Sequence, residues 1–137
     1  MRRISLVVSL IGMIVIIGCE NGEEVPEARM KSGEKLYKIY CQSCHMQDGG
    51  GVSGMNAPLI GSKYVSGDKE KLISIVLHGS AAFKGDGERP YKNLMPAIPG
   101  LTNSEIADVL TYVRNSFNNK APEITPGDVE LARTKIK

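Results

Sequence analysis

Two cysteines separated by two residues and followed at once by a histidine, Cys41-Gln42-Ser43-Cys44-His45, are the side chains of this 137-residue chain best suited to chemistry. Two thiols at that spacing can each add to a vinyl group of one porphyrin, while the adjacent imidazole binds the iron. A Cys-x-x-Cys can also serve in a thioredoxin-like redox site, but that use belongs with a βαβ pattern, which this chain lacks. A closed zinc site needs further ligands, and the only unused cysteine and histidine are Cys19 and His78. The pattern therefore predicts covalent haem, and since it occurs once it predicts one haem c.

The iron then needs a sixth ligand or an open position. Met95 lies fifty residues after His45 in Tyr91-Lys92-Asn93-Leu94-Met95-Pro96-Ala97, where Pro96 stiffens the loop and limits where the thioether points. A thioether is a soft ligand that favours ferrous iron and raises the reduction potential. Met46 adjoins His45 and cannot easily reach the opposite face, while Met55 sits in a glycine-rich loop. Met30, Met46 and Met55 are expected as surface or gap-filling residues. His78, the rival imidazole, ends a helical pattern before Gly79, a favourable place for a histidine without any ligand role.

Three helical signals position these groups. Ser32 can cap a segment through Leu36, Ile39 and Tyr40 that delivers Cys41 at its end. From Asp68 to Leu77 a short apolar helix carries Leu72, Ile73, Ile75, Val76 and Leu77 and stops at Gly79. Thr102-Asn103-Ser104-Glu105 is a capping box ahead of Ile106, Val109, Leu110, Val113 and Phe117. Between them, Gly49-Gly50-Gly51, Gly85-Asp86-Gly87 and residues 96–100 read as loops wrapped on the cofactor. No run alternates apolar and polar residues at useful length, so the expected class is all-α, with three to five short helices wrapped on one haem. After Asn119, Thr125 can cap a short helix with Pro126 in its first turn, or residues 120–137 can form an unstructured tail.

The beginning of the chain reads as an address. Arg2 and Arg3 precede the apolar stretch Ile4 to Ile17, which is too short to span a bilayer as an ordinary helix, so residues 1–18 are expected to be a cleaved export signal. Its end, Ile16-Ile17-Gly18-Cys19, resembles a bacterial lipobox, which would make Cys19 the site of a diacylglycerol and so account for the odd third cysteine. An ordinary signal-peptidase site or an uncleaved anchor, with a free or intermolecularly paired thiol, is the alternative. Acyl chains contribute about 0.8 kcal/mol per buried CH₂, enough in a lipoprotein to hold the chain at a membrane surface without spanning it. Residues 19–31, rich in glutamate and poor in large apolar side chains, are expected to be a flexible tether.

Lys and Arg number 17 against 15 Asp and Glu, and the leader's two arginines are the whole excess. That balance offers no basic patch for nucleic acid. The expected domain, residues 32–119, is small, and the chain has no tryptophan and two phenylalanines. Such a domain is short of core, and a buried macrocycle would supply what is missing.

From Gly33 to Asn118 the order Gly33-x3-Tyr37-x3-Cys41-x2-Cys44-His45, Asn56-Ala57-Pro58-Leu59-Ile60-Gly61-Ser62, Met95-Pro96-Ala97 and residues 106–115 resembles class I cytochrome c. More narrowly, it is similar to the mono-haem domains of quinoprotein dehydrogenase cytochrome subunits and of haem subunits in bacterial terminal oxidases. The resemblance implies thioether bonds at Cys41 and Cys44, proximal ligation by His45 and distal ligation by Met95. It also implies a hydrogen bond from His45 Nδ1–H to the carbonyl of Pro58, and a crossing of the first and last helices at Gly33 and Tyr112. Tyr64 and Tyr91 are candidates to reach a propionate.

A filled iron suits electron transfer, which needs little atomic movement, whereas catalysis on peroxide or oxygen needs a vacant position. The expected function is thus single-electron transfer between a respiratory donor and an acceptor, without enzymatic activity. A ligand-binding or peroxidatic haem protein, and a fixed relay within a dehydrogenase or oxidase complex, are the alternatives. The expected partners are a dehydrogenase, a cytochrome complex or a terminal oxidase, with Lys63, Lys84 and Lys92 as candidates for an electrostatic docking patch. The expected location is outside the cytoplasm, lipid-anchored to a bacterial membrane and facing the periplasm or the exterior.

Overall fold

The computed structural model describes residues 24–82 and 91–135. The leader with Cys19, and the Gly85-Asp86-Gly87 stretch with Lys84, lie outside them. Six helices make up the regular structure of the described residues: α1 (Glu27–Tyr40), α2 (Gln42–His45), α3 (Lys63–Ser66), α4 (Lys69–Ala82), α5 (Asn103–Arg114) and α6 (Pro126–Lys135). The β structure among these residues is a single isolated bridge between Val52 and Asn56. The all-α expectation holds, with six helices where three to five were expected, because α2 and α3 are single turns of four residues each.

Helix α1 corrects the sequence reading at its start. It begins at Glu27, after Pro26, so Ser32 lies inside it and the tether expected over residues 19–31 loses Glu27 to Lys31 to the helix. Tertiary contacts extend the helix beyond what local capping signals suggest. Arg29 donates to Asp108 Oδ1 at 2.8 Å and to the Ile124 carbonyl at 2.8 Å, and it pairs with Glu123. The i,i+4 pairs Glu27–Lys31 and Glu34–Lys38 lie on the exposed side, where solvent screens them and leaves their contribution small.

The principal helix packing is α1 against α5, with α6 laid on both α4 and α5. At the first contact Gly33 is buried, and a Cβ there would stand 2.3 Å from the Asp108 carbonyl oxygen and 2.5 Å from Tyr112 Cβ. Only a residue without a side chain permits that approach. Beside it, Tyr37, Tyr112 and Phe117 form an aromatic cluster with ring centroids 5.1–5.7 Å apart. Such pairs contribute about 0.5–1.5 kcal/mol each beyond the area they bury. Phe117 stands just past α5, whose last residue is Arg114, with a left-handed φ of 57°.

The capping box of α5 is present, with Thr102 Oγ1 accepting from Glu105 N–H and the Glu105 carboxylate accepting from Thr102 N–H. Helix α4 breaks at Gly79 (φ 77°, ψ 165°), where the sequence places its stop. The tail forms a helix with its own box: Asp128 Oδ2 accepts from Thr125 N–H at 2.8 Å, and Thr125 Oγ1 accepts from Asp128 N–H at 3.1 Å. Ile124, Val129 and Ala132 are buried against the core formed by α4 and α5. The described part of the tail is therefore fixed to the domain.

Candidate haem site

Helix α1 carries directly into the Cys-x-x-Cys-His segment. Cys41 N–H still bonds to the Tyr37 carbonyl at 2.9 Å, and Cys44 and His45 both donate from their backbones to the Cys41 carbonyl. One turn thus presents positions 41, 44 and 45 together, as i, i+3 and i+4 neighbours. Both thiols are free, that of Cys41 half-buried and that of Cys44 exposed. Burial, followed by the neighbouring Cys44 sulfur, pushes the Cys41 thiol up to about 11.

His45 is half-buried, and its Nδ1 lies 2.8 Å from the carbonyl oxygen of Ala57. Nδ1–H is the donor in this pair, which leaves the Nε2 lone pair for a metal and fixes the ring plane. Burial lowers the imidazole's proton affinity, partly offset by the Ala57 carbonyl. The acceptor corrects the expectation for Pro58 by one residue. The Val52–Asn56 bridge brings the chain back beside His45, and the residue before a proline is held extended, so the Ala57 carbonyl comes to the ring.

Met95 is half-buried and packs against the core cluster. Its backbone is clamped to Ser80 in both directions: Ser80 N–H donates to the Met95 carbonyl at 2.9 Å, and Met95 N–H donates to Ser80 Oγ at 2.9 Å. Gly79 makes room for this, since a Cβ there would come within 2.7 Å of the Met95 carbonyl oxygen and 2.9 Å of Ala97 N. The glycine read from sequence as a helix stop is also the seat of the Met95 loop. Its neighbour His78 is exposed.

Asn56 ties the two halves of the site together, a role that sequence reasoning did not assign. Its Nδ2 donates to the Cys44 carbonyl at 3.0 Å, and its Oδ1 accepts from Asn93 Nδ2 at 2.8 Å. Asn93 N–H and Lys92 N–H donate to the carbonyls of Met55 and Gly54. The segment leading to Met95 is thereby stitched to the loop following the Cys-x-x-Cys-His turn. Only the presence of two asparagines in loops that must meet hinted at this contact. Tyr37, placed by the resemblance in the α1 motif, gains a definite partner, donating its hydroxyl to the Met46 carbonyl at 2.6 Å where Met46 adopts a φ of 62°.

Tyr64 is half-buried, with Lys63 and Lys71 Nζ 5.5 and 5.3 Å from its ring centroid. Lys63 is thus engaged with an aromatic face. Tyr91 is half-buried and Lys92 exposed. Tyr40, Val52, Met55, Ile60 and Leu94 are large apolar side chains left exposed in the segments that flank the Cys-x-x-Cys-His turn and lead to Met95. Paired thiols, an oriented imidazole, a methionine with a clamped backbone and uncovered apolar side chains fit a covalently attached macrocycle. Among the described residues no three His, Cys, Asp or Glu side chains gather into a separate metal site.

Comparison with known proteins agrees. A family model described as cytochrome c matches residues 30–117. The cytochrome c subunit of the quinone-dependent alcohol dehydrogenase of Gluconacetobacter polyoxogenes is 36% identical over 110 residues, covering 74% of this chain and 22% of that protein. The gluconate 2-dehydrogenase cytochrome c subunit of Pantoea cypripedii is 33% identical over 110 residues, and there too the chain covers only 24% of the relative. Cytochrome c-552 of Thermus thermophilus is 30% identical over 126 residues, covering 76% of this chain and 95% of that protein. The chain belongs to the cytochrome c family. Within it, the fold and relatives mark a class I c-type cytochrome, an electron-transfer protein with covalently bound haem c.

Proposed function

We propose that this chain is a membrane-tethered, mono-haem carrier that passes single electrons between a respiratory donor and an acceptor through an iron held by His45 and Met95. The haem supplies a one-electron couple, and Cys41 and Cys44 hold it by thioether bonds. His45 is steadied by the Ala57 carbonyl, which raises its basicity as a ligand. The observation carrying the reading is the two-way clamp between Met95 and Ser80 over Gly79, which keeps the thioether on a backbone with little freedom to move. Ligands that hardly move between oxidation states minimise the reorganisation an electron must await, and a filled iron excludes small gases.

Met95→Ala tests this directly. The native oxidised protein is expected to show the weak far-red sulfur-to-iron charge-transfer band and, reduced, to bind carbon monoxide slowly. The variant is expected to lose the band, bind carbon monoxide rapidly and have a lower reduction potential, because a soft ligand to ferrous iron is gone. An unchanged band and potential in Met95→Ala would remove Met95 from the iron.

The tether in this reading is a lipid on Cys19, exported with the domain to the periplasm or the cell exterior. Membrane fractionation checks it: Cys19→Ser is expected in the soluble exported fraction, and its retention in membranes would remove the anchor. A second reading, a fixed relay within a larger dehydrogenase, is favoured by relatives named as dehydrogenase cytochrome subunits, of which this chain spans 22–24%. Stable co-purification with a large subunit after detergent extraction would select the relay, and purification alone the lone carrier.

A further inference from the structure

The segment following residue 117 lies beyond the part of the chain matched by the family model, as does Arg29. Yet it is among the most heavily tied parts of the molecule. The Thr111 hydroxyl accepts from Ile124 N–H at 2.9 Å and donates to the Ile124 carbonyl at 3.1 Å. Arg114 Nε donates to the Pro122 carbonyl at 2.8 Å. Lys69 on α4 pairs with Asp128 at 3.1 Å, and Lys135 with Glu70 at 2.5 Å. A tail that merely finished the chain would need none of these.

At its far end α6 reaches the Met95 segment. Arg133 Nη2 donates to the Leu101 carbonyl at 2.7 Å, and Arg133 Nε donates to Asn103 Oδ1 at 2.8 Å. Leu101 closes residues 95–101, and Asn103 opens α5. The same segment is held at Met95 by Ser80 and in its middle by Ile98 N–H to the Val76 carbonyl at 2.9 Å. Among the described residues, two of these three fastenings therefore go to α4, and the third goes to α6. A guanidinium suits that third position because its rigid fork serves two acceptors at once, and a buried backbone carbonyl has few other donors.

We propose that α6 is an external brace for the Met95 segment, with Arg133 as a positioning residue that slows release of the methionine from the iron. The inference rests on Met95 being the axial ligand. Methionine release requires residues 95–101 to shift, and with Arg133 in place the shift must also break the bond to Leu101 or carry α6 along. A helix outside the family's shared core would thus set how often the iron opens, without touching the cofactor.

The test uses the haem-loaded, full-length protein in five forms: parent, Arg133→Gln, Arg133→Lys, Lys135→Gln and Ile124→Ala. Carbon monoxide binding to the reduced protein reads methionine release, and far-UV circular dichroism melting reads global stability. Arg133→Gln is expected to raise the carbon monoxide association rate about tenfold, the scale of a lost charge-assisted hydrogen bond. Arg133→Lys, which keeps the charge but not the fork, is expected to give a smaller rise, and it carries the test if Arg133→Gln does not fold. Lys135→Gln, which removes only an exposed pair, is expected to stay within about twofold of the parent. Ile124→Ala weakens the tail at its other end and is expected to lower the melting temperature with a smaller effect on the rate.

A parent-like rate in the Arg133 variants, whatever their melting temperature, would overturn the proposal. So would an equal rise in Ile124→Ala, which would make the effect one of global stability. Rapid carbon monoxide binding or a missing far-red band in the parent itself would instead defeat the Met95 reading, and the brace would fall with it.

Discussion

At Gly33 a single hydrogen in place of a side chain lets α1 and α5 touch backbone to backbone. The neighbours a new methyl group would meet are the Asp108 carbonyl oxygen and Tyr112 Cβ, and neither is the free end of a flexible side chain. Gly33→Ala is expected to destabilise the holoprotein by roughly 2–3 kcal/mol, read from its denaturant midpoint. A loss smaller than about 0.5 kcal/mol would mean the helices separate at little cost. This contact was legible in the sequence because the resemblance paired Gly33 with Tyr112. Roles carried by long-range geometry were not legible. Arg114 is only 2% exposed and donates to the carbonyls of Val65, Gly67 and Pro122, although arginine is ordinarily a surface residue. Likewise the Ala57 and Pro58 carbonyls are adjacent, and only the path of the backbone decides which meets His45.

Helices declared by local signals appear where the sequence puts them, and those decided by remote partners do not. Thr102 and Glu105 announce α5 within four residues, whereas the start of α1 depends on Arg29 reaching α5 and the tail. Helix α6 depends on both. Its box is local, but its docking needs Thr111, Lys69 and the buried face of α4 and α5. Asp128 makes that docking sensitive to acid. Burial alone would raise its carboxyl, but the Thr125 N–H and hydroxyl and the Lys69 ammonium together hold it below its ordinary 3.8. A carboxyl depressed on folding contributes stability that is present above the unfolded value and lost as pH falls through the folded one. As pH falls below the ordinary 3.8, α6 is therefore expected to lose protection from hydrogen exchange more steeply in the parent than in Asp128→Asn. Equal acid responses in the two proteins would show that Asp128 does not couple α6 to pH.

Among the described residues a buried apolar core joins α1, α3, α4, α5 and α6, while Tyr40, Val52, Met55, Ile60 and Leu94, in the segments of the candidate haem site, stay uncovered. The first set holds the helices together, and the second has no protein to cover it in the described residues. A Cys41→Ser/Cys44→Ser protein, unable to attach haem, is expected to lose much of its far-UV helical signal, because one face of the domain is then left wet. A sharp, fully cooperative thermal transition with native helix content would show that the protein core suffices alone. The composition leads to the same expectation, since a chain with no tryptophan and two phenylalanines has little else to fill a core. Which residues hold the segment 120–135 against α4 and α5 was not legible, because that docking rests on pairings between residues far apart in the chain.

The grip of Arg29 on Asp108, Glu123 and the Ile124 carbonyl has a mechanical consequence. Tension applied to the leading end of the chain meets this clasp in the first turn of α1, most of a helix ahead of Cys41. There the load passes sideways into α5 and the segment before α6, so it is carried in shear by several bonds together. If Cys19 carries the proposed lipid, a pull from that leash would reach this corner before it reached the Cys41 turn.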